Sequence, residues 1–307
     1  MEKKEELPFG GEYLVSTFKA LQYLQGVSHP MEEDPELKES LFSEAVKMGN
    51  IGMMEYCHHN NCPLPFDIYP DALINDDKVV ALKTLRWLHQ HNYPLEASAC
   101  AAAAKSDNLE ALKWARDNDC PWDGRTFANS ALNGNIEMID YCIQNDCPVD
   151  TSACLYATRN DSDAKALETL KYLRQHSCPW DEDICGDAAL YGNFSTLSWA
   201  KRNGCPFSVD SFHKVLKCGQ PSLIEAMLRD EEYDFSDATF REETFIAALN
   251  TDTALSNASL FIAKLKLLNK YGCHWNASTS RAAAIYSKHR KEQWLRYKGC
   301  SLDKDTC

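Results

Sequence analysis

Asn108-Leu-Glu-Ala-Leu-Lys-Trp-Ala-Arg-Asp-Asn-Asp-Cys-Pro-Trp-Asp123 is the stretch that decides how this chain folds. Leu109, Leu112, Trp114 and Ala115 stand at i, i+3, i+5 and i+6, one broad apolar stripe on a helix. Asn118-Asp119 is a helix stop of the kind that tolerates an unusual backbone. Cys120-Pro121 forbids continuation, because proline lacks an amide and biases the residue before it away from α. Asp123 then offers N-cap chemistry for another helix. One short segment thus predicts helix, stop, turn and helix start.

The pattern recurs through most of the sequence. Cys-Pro stands at Cys62, Cys120, Cys147, Cys178 and Cys205, and Tyr93-Pro94, Cys273-His274 and Cys300-Ser301 fill the same slot. Successive markers from Cys62 to Cys205 lie 31, 27, 27, 31 and 27 residues apart. The next interval, 68, divides into 27 and 41, so a degenerate repeat is expected to end near Glu232. Six residues before the marker stand Tyr56, Trp87, Trp114, Tyr141, Tyr172 and Trp199; eight before it stand Met54, Leu85, Leu112, Ile139, Leu170 and Leu197. Columns in register over such a span mark a true repeat, in which each unit cannot bury its apolar face alone and stacks on its neighbours. Each unit reads as two short helices. The first carries a small, Ala-rich face (Ala103-Ala104, Ser130-Ala131, Ala188-Ala189) that permits close packing. The 31-residue units are expected to carry about four extra residues at the inter-helix turn, at 75–79 and 160–164. The 41-residue unit widens the same place at 250–257. The expected fold is an all-α, right-handed helical repeat solenoid of stacked helix-turn-helix units.

On these residues the chain resembles the shortened, Cys-Pro-containing ankyrin-like repeats of microbial eukaryotes and large DNA viruses, over roughly 40–305 and most clearly 98–210. That resemblance implies an ankyrin-like array with a protein-interaction role. The sequence departs from a standard ankyrin array in its short period, in lacking Thr-Pro-Leu-His, and in leaving little room for β-turn fingers. Residues 1–40 are expected to form an N-terminal capping region around the amphipathic stretch 13–24, and 41–307 the array of about nine units, degenerate near 219–258 and at the C-terminal cap. Leu7-Pro8 with the following stretch is also similar to the opening of an F-box, which implies an alternative role as a substrate-recruiting ubiquitin-ligase adaptor.

Composition narrows the function classes. Thirty-two basic residues against 45 acidic give a net charge of −13, which disfavours generic binding to phosphate backbones. A nucleic-acid-binding helical repeat is therefore a minor alternative, since it needs a continuous basic face. The N-terminus has no apolar run of a secretory signal, no 18-residue apolar stretch spans a membrane, and 14 cysteines without such a signal point to free thiols in the cytosol or nucleus. The four Asn-x-Ser matches, at Asn160, Asn193, Asn257 and Asn276, are then chance.

No G-x-S-x-G, P-loop or H-E-x-x-H is present, so no enzyme is expected. Cys57-His-His-Asn-Asn-Cys62 has the look of a metal site, but Cys57 falls in the core column of Leu88, Ala115 and Cys142. No metal or cofactor is expected. The aromatic column reads as packing between repeats. The expected function is non-enzymatic recognition of a protein partner, a basic one favoured, by a monomer that engages neither nucleic acid nor membrane. The expected partner-binding residues follow the Asp ladder and the variable positions beyond it: Asp123, Arg125, Asp150, Ser152, Asp181, Glu182, Asp183 and Asp210.

Overall fold

A computed structural model describes residues 35–63, 67–218, 221–230, 237–249 and 258–274. The expected capping and F-box-like segments at 7–24, the insertion at 250–257 and the C-terminal cap lie outside these residues. Every regular element among them is an α-helix. The chain divides between Thr126 and Phe127 into two units.

The helices form pairs, each second helix leading into a marker. They are α1 (Pro35–Lys47) with α2 (Ile51–His59), α3 (Ile68–Leu73) with α4 (Lys78–Gln90), and α5 (Ala97–Lys105) with α6 (Leu109–Asp117). There follow α7 (Gly124–Asn133) with α8 (Ile136–Gln144), α9 (Ser152–Ala157) with α10 (Asp163–Gln175), and α11 (Asp183–Leu190) with α12 (Phe194–Arg202). The last are α13 (Val209–Cys218) with α14 (Pro221–Asp230), and α15 (Ala238–Leu249) with α16 (Ala258–Lys270). The degenerate repeat expected near Glu232 is the pair α13–α14.

Each marker turn is built the same way. The residue before it is left-handed: Asn61 (φ +49°), Asn92 (+62°), Asp119 (+59°), Asp146 (+57°), Ser177 (+61°), Gly204 (+80°) and Gly272 (+95°). Glycine, asparagine and aspartate bear that conformation most easily, which is why they crowd this position. The marker amide then donates back to the carbonyl five residues earlier, as from Cys120 to Ala115 and from Cys205 to Ala200, both at 3.0 Å. This satisfies helix-end carbonyls that would otherwise lack a partner. The marker cysteines are buried, and their thiols reach the preceding repeat: Cys120 Sγ donates to Glu96 O at 3.2 Å, and in the second unit Cys205 Sγ donates to Asp181 O at 3.3 Å. Cysteine suits the slot because it is a small apolar group with one weak donor.

The turn inside each pair repeats the device. Gly49, Asp107, Gly134 and Gly192 have positive φ, and the next residue's amide bonds back five residues, as from Asn108 to Ala103 at 2.9 Å. Asn50, Asn108 and Asn135 then cap their helices by accepting from Met53 N, Ala111 N and Met138 N at 3.2, 3.1 and 3.0 Å. At Gly49 a Cβ would fall 2.1 Å from Val80 Cγ1, so both the dihedral and the space require glycine.

The 31-residue units differ from expectation. The inter-helix turn does not simply swell: α4 and α10 each run 13 residues where α6, α8 and α12 run nine. Their first helices shrink to six residues. The four added residues therefore become about one helical turn at the start of the second helix, capped by Asp77 on Val79 N and Val80 N and by Ser162 on Lys165 N.

Within each unit the core is a seam of small first-helix residues against larger second-helix ones. Ala99, Ala103 and Ala104 are buried with Leu85, Leu88 and Leu112; Ala188 and Ala189 are buried with Leu170, Leu173 and Leu197. Side-chain amides tie neighbouring pairs together. Asn75 and Asn108 donate to Lys47 O and Lys78 O; in the second unit Asn160 donates to Leu132 O, and Asn193 to Thr158 O and Asn160 O at 2.7 and 2.8 Å. Asn160 and Asn193, two of the four Asn-x-Ser asparagines, are thus buried and hydrogen-bonded; Asn257 and Asn276 lie outside the described residues.

The ankyrin expectation meets a geometric obstacle. Cys120 is followed by a helix at Gly124, Cys147 by one at Ser152 and Cys178 by one at Asp183, too few residues for a β-hairpin finger. No helix among the described residues is long and apolar enough to cross a membrane.

Candidate functional site

The expected partner-binding residues open the first helices. Asp123 Oδ1 accepts from Arg125 N at 3.0 Å, and the Arg125 guanidinium folds back onto the same carboxylate at 2.9 Å. That hydrogen bond holds the Asp123 carboxyl below its ordinary range, against a smaller desolvation effect. In the second unit Asp150 accepts from Ser152 N at 2.9 Å and Asp181 from Asp183 N at 3.1 Å. Lys214 joins Asp183 and Asp210 at 3.2 and 2.9 Å, and Ser211 Oγ donates to Glu182 O at 2.6 Å. The structure thus brings Glu182, Asp183 and Asp210 together through α13, and places Asp150–Ser152 at its own turn. Glu96, at the equivalent position before α5, makes no side-chain cap bond.

Cys57 is buried, and desolvation followed by the neighbouring Cys62 pushes its thiol up to about 12. His58 Nδ1 lies 2.9 Å from Tyr93 Oη, and His59 Nδ1 lies 2.7 Å from Glu55 O. Among the described residues no three His, Cys, Asp or Glu side chains are placed to hold a metal ion.

The second helices carry a different constellation. The aromatic column, expected to be core, is so at Trp87, 7% exposed, but Trp114, Tyr141, Tyr172 and Trp199 are half-exposed. Beside it stand basic residues seven or four positions before the marker. In the first unit these are Arg86, Lys113 and Arg116, with His89; in the second they are Lys171, Arg174 and Lys201, with Arg202 one position further on. Glu55 in α2, Asp140 and Ile143 in α8 and Ser198 in α12 interrupt the series. The two columns touch. His89 meets the Trp114 ring edge-on at 5.7 Å, and in the second unit Lys171 Nζ lies 6.0 Å from the Trp199 ring.

A second cation–aromatic pair closes the marker turns. Arg116 lies 4.2 Å over Trp122, Arg174 lies 4.1 Å over Trp180 and Lys201 Nζ lies 5.2 Å over Phe207. Arg116 and Arg174 also donate to the marker carbonyls of Cys120 and Cys178. In the second unit Trp180 and Trp199 meet edge-on at 6.1 Å, so two aromatic rings and two cations share one surface. A groove of about 580 Å³ opens beside Trp199. Cations set against ring faces fit a polyanion whose units are themselves aromatic. These residues were in the sequence; the available signal was the basic residues keeping register with the marker, masked by a strongly negative total.

No family model matches the chain, and no curated protein matches it. Among solved structures the chain is similar to the pentatricopeptide repeat protein PPR10 in complex with an 18-nt psaJ RNA element. Identity is 13% and the TM-score 0.49, over 96% of this chain and 48% of that one. A cysteine-to-serine variant of that protein with the same RNA gives the same values. A further structure of the protein, from maize, matches at 13% identity and a TM-score of 0.41, over 99% of this chain and 53% of that one. The chain spans about half the length of these structures.

Three expectations are corrected here. The ankyrin assignment gives way, since the marker turns leave no room for fingers. Recognition of a protein partner as the function, and the exclusion of nucleic acid, give way as well, to the basic groups set against aromatic rings on the second helices and their turns. The exclusion rested on the net charge, which is an average over the surface and says nothing of cations gathered in one column.

Proposed function

We propose that the chain is a non-catalytic binding protein for single-stranded nucleic acid, held along the exposed faces of the second helices. The observation that carries this reading is the alternation of cation and half-exposed ring in α10 and α12, where Lys171 and Arg174 stand against Trp199 and Trp180. Bases stack on the rings and phosphates pair with the ammonium and guanidinium groups, a mode that tolerates any sequence because every base has a π-face. A duplex hides those faces and is expected to bind less well.

The test is fluorescence anisotropy with labelled single-stranded RNA, single-stranded DNA and a duplex of one sequence, from 50 to 300 mM salt. The expected result is a single-strand preference and a log–log salt slope of about −0.7 for each phosphate neutralised. Equal affinity for the duplex, or no binding at 50 mM salt, would sink the reading.

A further inference from the structure

We infer that the groove beside Trp199 is a subsite for one unstacked nucleobase with its phosphate; this rests on the strand-binding reading above. Its walls are Phe194, Trp199 and Leu223, all half-exposed, from α12 and α14. Half-buried apolar walls on three sides of one concavity suit an occupant of matching character. Ser198 and Ser222 bring hydroxyls to the same groove, each able to donate or accept, which suits the mixed edge of a base. Leu167, Ser195 and Arg202 complete the lining, and no carboxylate is part of it. The nearby Asp163 carboxylate is turned to other work, accepting from Ser195 N and Thr196 N at 2.8 and 3.0 Å.

Charge fixes the choice of occupant. Lys171 approaches the Trp199 ring at 6.0 Å, and Arg202 makes no ion pair among the described residues. A purely apolar occupant would leave Arg202, which lines the groove, without a counter-charge. A planar aromatic group bearing an adjacent anion satisfies ring, hydroxyls and cations together. About 580 Å³ is ample for one nucleotide and falls within the range of small-molecule clefts. The base enters on the Trp199 face, and its phosphate lies between Arg202 and Lys171.

The experiment uses the full chain and oligouridylate of 12 nucleotides, with binding read by anisotropy and helicity by circular dichroism. Trp199→Ala is expected to weaken binding about tenfold, the worth of one base stack, and Trp199→Phe to recover most of it. Leu223→Trp, which fills the groove while leaving Trp199 itself unaltered, is expected to weaken binding similarly and keeps the test decisive should Trp199→Ala fail to fold. Retained affinity in both Trp199→Ala and Leu223→Trp, while Lys113→Glu weakens binding, overturns the subsite and leaves the strand-binding reading standing. Failure of the unaltered chain to bind the oligomer overturns both.

Discussion

At the scale of single residues, Lys264 makes an unusual demand. It is 1% exposed, and its ammonium donates to Leu216 O at 2.8 Å and Lys217 O at 3.2 Å, capping the end of α13. Burial pulls its pKa down to about 8. The unfolded chain holds that proton to about 10.4, so between those values the unfolded state binds more protons and stability rises with pH. The thiols of Cys154 and Cys273 act in the opposite sense: burial pushes both up to about 12, so the unfolded state ionises first and stability falls above about pH 8.5. The difference in urea midpoint between the unaltered chain and Lys264→Met isolates the lysine. It is expected to grow in favour of the unaltered chain from pH 8 to pH 10; a constant difference would show that the lysine keeps its ordinary pKa.

Trp87 allows a second residue-scale test. Its indole is buried, stacks on His91 at 3.9 Å, and its Nε1 has no hydrogen-bond partner. Trp87→Ala is expected to cost about 3–5 kcal/mol, as for a large core ring. Trp87→Phe keeps most of the packing and removes a buried donor whose desolvation costs about 1–3 kcal/mol, so its denaturation midpoint should lie much nearer the unaltered one. The sequence put Trp87 and Trp199 in one column. It gave no sign that the first is sealed and the second half-open, because that depends on which neighbours cover each ring.

At the scale of elements, helices here borrow their caps. Asn193 stands at the N-cap of α12 but makes no side-chain cap bond; it is occupied with Thr158 O and Asn160 O instead. Asp163, one repeat earlier, caps α12 in its place. Burial opposes ionisation of that carboxyl, but the amides and hydroxyls of Ser195 and Thr196 outweigh it and hold the pKa down. Asp163→Ala is expected to cost about 1–2 kcal/mol, the usual worth of a cap, seen as a lower urea midpoint; Asp163→Asn should recover part. Because the folded value is depressed, the contribution is present above the ordinary carboxylate range and lost as pH falls through the folded pKa. Loss in both variants equal to that of a surface alanine change would deny the cap. Helix existence, stops and pairing were legible, since they follow from apolar period and turn chemistry. A cap supplied from 32 residues away was not, since nothing local marks it.

At the scale of the molecule, modularity makes its own prediction. Removing residues 179–205, one 27-residue period from marker to marker, joins equivalent points of two turns. The product is expected to fold cooperatively, with helical signal lost only in proportion to the residues removed. A chain without cooperative unfolding would show that the pairs do not stack independently. Net charge is the property on which the sequence misled. It counts 45 acids against 32 bases, yet many acids are spent on helix starts, as at Asp123, Asp150 and Asp181, while bases recur on the second helices. Only placement separates the two populations.

The two long units also set a rule for how such an array can change its length. Their four added residues extend a helix by about 400°, a full revolution plus about 40°, so the added turn keeps nearly the same face toward the core. An insertion of two would swing the upstream portion to the opposite side and turn its buried groups outward. Inserted codons in these helices should therefore survive in fours and sevens, and be eliminated in twos and fives. The array has a reading frame of its own, counted in helical turns.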